Sequence, residues 1–272
     1  AYEAATADLN DVNMIDPFHL EAYGVTTVNY NRDVEIFPIL KAMFEKIYGS
    51  SPYNSPTDMG VNMAGNCIFD DEAVKKASND EIIRRYYSAL CGHVQGKWGG
   101  DVANKIEFIM NSAKISPEDR LVAMMALKRS EETDSPAAAI EMRDGTILTG
   151  KTSSLLGASS ALLLNALKYL AGIDDSVHLL SRDIIEPIQD LKINHLGNKN
   201  PRLHTDEILL ALSICAVSND LARAALDELG NLGGCEVHSS VILSQVDENV
   251  FRKLGINLTC EPRYQSHKLY HA

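Results

Sequence analysis

The rhythm of hydrophobic positions changes near the middle of this chain. From Asp33 to Tyr48, "DVEIFPILKAMFEKIY" sets Val34, Phe37, Met43, Phe44 and Ile47 on one stripe of a helix, with Pro38 as a kink and Gly49 as the stop. Helical spacing returns over Asp70 to Cys91, Asp101 to Ala113 and Ser116 to Glu132. The last of these opens on Ser116 as a cap with Pro117 in the first helical position. Between the first two helices, "GSSPYNSPTDMGVNMAGN" is a long polar loop of the kind that carries function, and it offers Asp58, Asn62, Asn66 and Cys67.

Past the polar hinge "SEETDSP" the pattern alternates. It predicts strand "AAAIEM", a turn at Asp144-Gly145, strand "TILTG", a helix over Ser154 to Leu170, a strand near Val177 to Leu180 and a helix near Arg182 to Lys192. Helices at Thr205 to Val217 and Asp220 to Leu229 come next, then a strand near Glu236 to Leu243, a helix at Asp247 to Leu254 and strand "INLTC". Strands alternating with helices indicate a layered α/β domain. The expected division is a mainly helical domain over 1–134 and an α/β domain over 135–272.

Composition narrows the function classes. The chain has 25 basic and 37 acidic residues, a net charge of −12, so polyanionic nucleic acid and membrane surfaces are not expected partners. The deficit is uneven, with 13 basic and 21 acidic residues up to Asp134 and 12 and 16 beyond it, which leaves room for a small anionic ligand in the second half. Five scattered cysteines without a CxxC pair imply neither disulfide framework nor zinc ribbon, and they point to a reducing cytoplasm. The chain opens without Met or a basic-then-apolar leader, as a piece of a longer protein would.

Gly145, four residues, Gly150, Lys151 and Thr152 match the nucleotide-binding P-loop pattern. A working loop curls its main-chain N–H groups around phosphate, yet here the four residues are Thr-Ile-Leu-Thr, stiff and β-branched, after a hairpin signal. A hairpin strand ending in Gly-Lys-Thr is the favoured expectation, with ATP hydrolysis as the minority one. Lys151, Thr152, Ser153 and Ser154 would still lie where a strand enters a helix, and free N–H groups there favour an anion.

A second polar cluster precedes an apolar helix: His195, Asn198, Lys199, Asn200, Arg202 and His204, with Thr205 or Asp206 as the cap. Arginine forks onto phosphate or carboxylate, and histidine exchanges protons near neutral pH. His195, His204, Asp206 and Glu207 also form a candidate metal set, but the spacing of the two histidines matches no standard zinc pattern and anion handling is preferred. Glu236 and His238 share one face of a strand as a weaker acid/base candidate. Cys67 has no neighbour that would activate it.

The stretches "PFHLEAYGVTTVNYNRDVEIFPILKAMFEKIYGSSPYNSPTDMGVNMAGN", "DGTILTGKTSSLLGASSALLLNALKYLAGIDD" and "NHLGNKNPRLHTDEILLALSICA" resemble an uncharacterised bacterial family, domain of unknown function eighteen-forty-six. Some of its members carry the label ATP-dependent zinc peptidase. The resemblance covers nearly all of the chain and implies the C-terminal portion of a longer member. It supplies no catalytic residues. The hairpin "AAAIEMRDGTILTGK" and the strands and helices after it are similar to a three-layer α/β/α domain of cytidine-deaminase-like topology. The zinc motifs of that fold are missing: the first helix, "SSLLGASSALLLNAL", has neither ligand nor proton-shuttling Glu, and no His-Glu-x-x-His supports a zinc peptidase.

The expected function is therefore part of a cytoplasmic enzyme that binds a small anionic metabolite or nucleotide at helix N-termini. Lys151, His195 and His204 would carry catalysis, and Thr152, Ser153, Ser154, Asn198, Arg202, Asp58 and Asn62 would bind the ligand. The alternative is a non-enzymatic regulatory or oligomerisation domain, a homo-oligomer joined through the small residues Gly157 to Ala161 of the helix ending at Leu170.

Overall fold

The computed structural model describes residues 14–15, 27–28, 31–51 and 71–265, in two units that divide between Asp119 and Arg120. Asp58, Asn62 and Cys67 lie outside the described residues.

In the first unit a two-residue pair, β1 (Met14–Ile15) antiparallel to β2 (Thr27–Val28), precedes α1 (Asn31–Tyr48). Helices α2 (Asp71–Val94) and α3 (Gly100–Ala113) pack on each other around Ile82, Ile83, Tyr87, Ala103, Ile109 and Met110. Gly92 makes room for the Trp98 ring, because a Cβ there would stand 2.8 Å from its Cδ2 atom.

The second unit begins with α4 (Leu121–Thr133), preceded by a single 3-10 turn at Pro117–Asp119 instead of a helix running on from Ser116. Strand β3 (Ala137–Glu141) forms a hairpin with β4 (Ile147–Lys151); β5 (Glu236–Ser239) and β6 (Asn257–Cys260) complete a sheet of order β4-β3-β5-β6. β3 is antiparallel to β4 and to β5, while β5 and β6 are parallel, so β4, β5 and β6 all run the same way.

The small residues of β3 allow helices to approach it from both sides. Ala139 packs against Val122 and Ala126 of α4, which places this helix with the sheet although the spacing of its residues grouped it with the helical half. The other face receives α5 (Ala158–Leu170), whose Leu162, Leu163, Ala166 and Leu167 are buried. Burial of each such leucine contributes about 1.5 to 3 kcal/mol. Helices α6 (Arg182–Asp190), α7 (Thr205–Cys215), α8 (Asp220–Asp227) and α9 (Gln245–Lys253) come after it in the chain. The expected strand near Val177 to Leu180 is irregular, and β5 ends at Ser239 instead of continuing to Leu243.

The hairpin resolves the nucleotide-loop match. Met142 accepts the Gly145 N–H at 2.9 Å, Gly145 has φ +83°, and the residues before Gly150 lie in extended β4 instead of curling. Gly150 serves packing: a Cβ there would stand 2.6 Å from Leu162 Cα and 2.8 Å from the Ala158 carbonyl oxygen. The helix backbone rests directly on the strand, which leaves no phosphate cradle at this motif.

Candidate functional site

The shared direction of β4, β5 and β6 brings their carboxyl ends to one edge of the sheet, where ligands settle in open α/β folds. Beyond this edge a small cleft, partly open to solvent, is lined by Thr152, Ser159, Asn200, Arg202, His204 and Asp247, with Val241 and Leu243 on an apolar side.

Asp247 organises one side. Its Oδ1 accepts the N–H and the hydroxyl of Thr205, both at 2.9 Å, and its Oδ2 accepts the Ser244 hydroxyl at 2.8 Å and faces His204 Nδ1 at 3.1 Å. Burial alone would raise the Asp247 carboxyl. The His204 hydrogen bond and charge, the Thr205 N–H and the Ser244 hydroxyl together hold it below the ordinary value. The same hydrogen bond lifts His204 above the ordinary imidazole value, against partial desolvation. With Nδ1 facing a carboxylate, Nε2 is the ring nitrogen without a protein partner among the described residues.

A buried lysine braces the loop that presents His204. Lys192 Nζ donates to the Arg202 carbonyl and to Glu207 Oε2, each at 2.7 Å, and the same Glu207 oxygen accepts the His204 N–H at 2.8 Å. Lys192 comes from a π-helical turn, Leu191–His195, that continues α6. Arg202 Nε donates to the Ser153 carbonyl at 2.8 Å, and its two terminal nitrogens have no protein partner among the described residues.

Three helices start at this edge, and they differ in what fills them. The α7 start is filled by Asp247 and Glu207, and that of α9 by the Ser244 side chain. Helix α5 is preceded by Gly157 with no side-chain cap, and its first N–H groups have no protein acceptor among the described residues. Beside it the hydroxyls of Thr152 and Ser159, residues only 9% and 3% exposed, also lack a protein partner among the described residues. Buried hydroxyls without partners are rare and cost about 1 to 3 kcal/mol each.

The expected site residues divide accordingly. Thr152, Arg202 and His204 come together in the cleft, joined by Asn200, whose side-chain oxygen accepts the Arg202 N–H. Lys151 is the exposed last residue of β4 and does not line it. Ser153 and Ser154 do not sit at a helix start: Ser153 Oγ accepts the N–H groups of Leu155 and Leu156, and the segment pairs with Leu203 before α5 begins at Ala158. His195 is exposed, 3.7 Å from Asp190, and the Asn198 N–H bonds to the Lys192 carbonyl; neither lines the cleft. Among the described residues no three His, Cys, Asp or Glu side chains gather as a metal site, so the weaker candidate set of His195, His204, Asp206 and Glu207 does not assemble as one.

Sequence reasoning misses two members of the site. Asp247 has a local signal, since Ser244 and Asp247 have the spacing of a capping box. Ser159 has none, because a serine within an apolar helix looks like packing. The weaker candidates Glu236 and His238 belong to an interior network: Arg120 donates to Glu236 at 2.5 Å and to Thr259 at 2.8 Å, and Thr259 Oγ1 lies 2.8 Å from His238 Nδ1. Burial lowers the His238 pKa despite its contact with Glu261.

Comparison with known proteins matches residues 1–114 to the family described as Domain of unknown function DUF1846, N-terminal, and residues 118–270 to Domain of unknown function DUF1846, C-terminal. The expectation of a C-terminal portion alone is thereby corrected, since the chain carries sequence of both. The chain is 56% identical over 270 residues to UPF0371 protein cu0538 of Corynebacterium urealyticum, covering 99% of this chain and 54% of that protein. It is 57% identical over 270 residues to UPF0371 protein stu1377 of Streptococcus thermophilus, covering 99% of this chain and 55% of that protein. The chain thus spans about half the length of the curated relatives it matches.

Proposed function

Taking as premise that the chain belongs to the DUF1846 family, we propose that its second unit forms the binding and acid/base part of an enzyme acting on a small anionic metabolite or nucleotide. The observation that carries this reading is the open start of α5 with the partnerless Thr152 and Ser159 hydroxyls, in one cleft with Arg202 and the His204–Asp247 pair. Arg202 and the helix N–H groups hold the anion. His204, oriented through Nδ1, exchanges a proton with the substrate through Nε2.

The sheet order, with β3 antiparallel inside an otherwise unidirectional sheet and helices on both faces, supports the deaminase-like three-layer topology. Fold alone carries no chemistry, and α5 lacks the residues that hold zinc in that fold. Of the small residues behind the oligomerisation alternative, Ala158, Ser159 and Ser160 are buried within their own unit, while Gly157 and Ala161 are half-buried. Among the described residues no helix is long and apolar enough to cross a membrane.

A panel of small carboxylates and phosphates screened by thermal stabilisation tests the reading. At least one is expected to raise Tm in the wild-type chain and not in Arg202→Ala, and NMR of the mixture then reports conversion that His204→Gln abolishes. A panel with no stabilising member would remove the reading. Binding without conversion would leave a regulatory domain.

A further inference from the structure

Resting on the reading of the cleft as a small-anion site, we propose that the anionic group it takes is the phosphate of a phosphomonoester, with the organic part of the ligand against Val241 and Leu243. The choice between phosphate and carboxylate is decided by the number of donors that the protein leaves without partners.

The corner presents the open N–H groups at the start of α5, the Thr152 and Ser159 hydroxyls and the terminal nitrogens of Arg202. A carboxylate has two oxygens, and once the arginine fork has taken both in one plane, donors outside that plane find poor acceptors. A phosphomonoester presents three terminal oxygens in a tetrahedral array. The fork can hold two of them while the helix start and the hydroxyls hold the third and the remaining lone pairs.

Charge agrees with this choice. Glu207 is paired with Lys192 at 2.7 Å, and Asp247 is turned toward the Thr205 and Ser244 donors and the His204 ring, so neither carboxylate points its charge at an incoming dianion without a partner. Arg202 is then the cation with no carboxylate paired to it among the described residues, beside the positive end of α5. The apolar wall provides no polar partner for a second charged group, which fits a ligand with one phosphate and a less polar body.

Amide chemical-shift mapping of the 272-residue chain tests the proposal with three probes: inorganic phosphate, phenyl phosphate and benzoate. Phenyl phosphate is expected to saturate shifts at Ala158, Ser159 and Ser160 at concentrations at least tenfold below those for benzoate. Arg202→Gln and Ser159→Ala are each expected to weaken phenyl phosphate tenfold or more while the spectrum of the Asp144-Gly145 hairpin stays unchanged. Benzoate binding at these amides as well as phenyl phosphate would overturn the phosphomonoester and leave the small-anion reading standing. No saturable shift with any probe would overturn both. Phosphate binding indifferent to both substitutions would mark nonspecific association and overturn the proposal.

Discussion

Asp247 Oδ2 lies 3.1 Å from His204 Nδ1 while Asp247 Oδ1 receives both the N–H and the hydroxyl of Thr205. One carboxylate therefore orients the imidazole and closes the start of α7. Replacing Asp247 with Ala strands both Thr205 donors in a buried place, and a loss of about 2 to 4 kcal/mol in urea denaturation is expected. Asp247→Asn retains an acceptor but not the charge. His204 should then titrate at lower pH than in the wild type, as tracked by its ring resonances in NMR.

The same pair shapes the pH dependence of stability. The His204 contribution, from a raised pKa, is complete below the ordinary imidazole value and is lost as pH rises through the elevated one. The Asp247 contribution, from a lowered pKa, is complete above the ordinary carboxyl value and is lost as pH falls through the depressed one. Stability attributable to the pair should peak between the two and decline on both sides. Denaturation midpoints measured from acid to mildly alkaline pH, compared between wild type and Asp247→Asn, give that peak as a difference.

His238 acts with the opposite sign. Burial depresses its pKa, so its neutral form favours the fold above the ordinary imidazole value, and that stability is lost as pH falls toward the depressed one. His238→Gln should flatten the acid limb of the stability profile and leave the alkaline limb unchanged.

Gly150 and Lys151 are neighbours with contrasting tolerance. Gly150→Ala drives a methyl into the backbone of α5 at Ala158 and Leu162, and a loss of about 1 to 3 kcal/mol or more is expected. Lys151→Ala, at an exposed strand end, should stay within about 0.5 kcal/mol. Equal effects in thermal melts would overturn the packing role assigned to the glycine.

Arg120 is buried and donates to Glu236, Thr259, Val237 and Asn257, so one guanidinium joins β5 to β6. Lysine offers donors from a single point and cannot reach this spread of acceptors. Arg120→Lys should cost about 2 to 3 kcal/mol in chemical denaturation, with faster amide exchange in β6.

Much of the second unit was legible in the residue pattern, because the hairpin, α5 and the alternation after it rest on local signals such as Asp144-Gly145 and the run "AAAI". The candidate cleft was legible in part. Thr152, Arg202 and His204 stand before or between elements, where polar residues have no packing role to explain them. The start of α5 was misplaced because "TSSLL" has the composition of a helix entrance, yet Leu155 and Leu156 pair with Leu203, a contact from far along the chain. Lys192 and Ser159 gave no signal because their significance depends on which distant groups they meet, and which they do not. The grouping of α4 with the helical half failed for a related reason: its spacing shows a helix, and only the small residues of β3 determine what that helix packs on.

The hairpin turn at Asp144-Gly145 stands at one end of β4, and Thr152 comes just after the other. A fluorophore or short peptide tag grafted at Gly145 would therefore report on the hairpin from the rim opposite the cleft, leaving Arg202 and His204 to meet their ligand unobstructed.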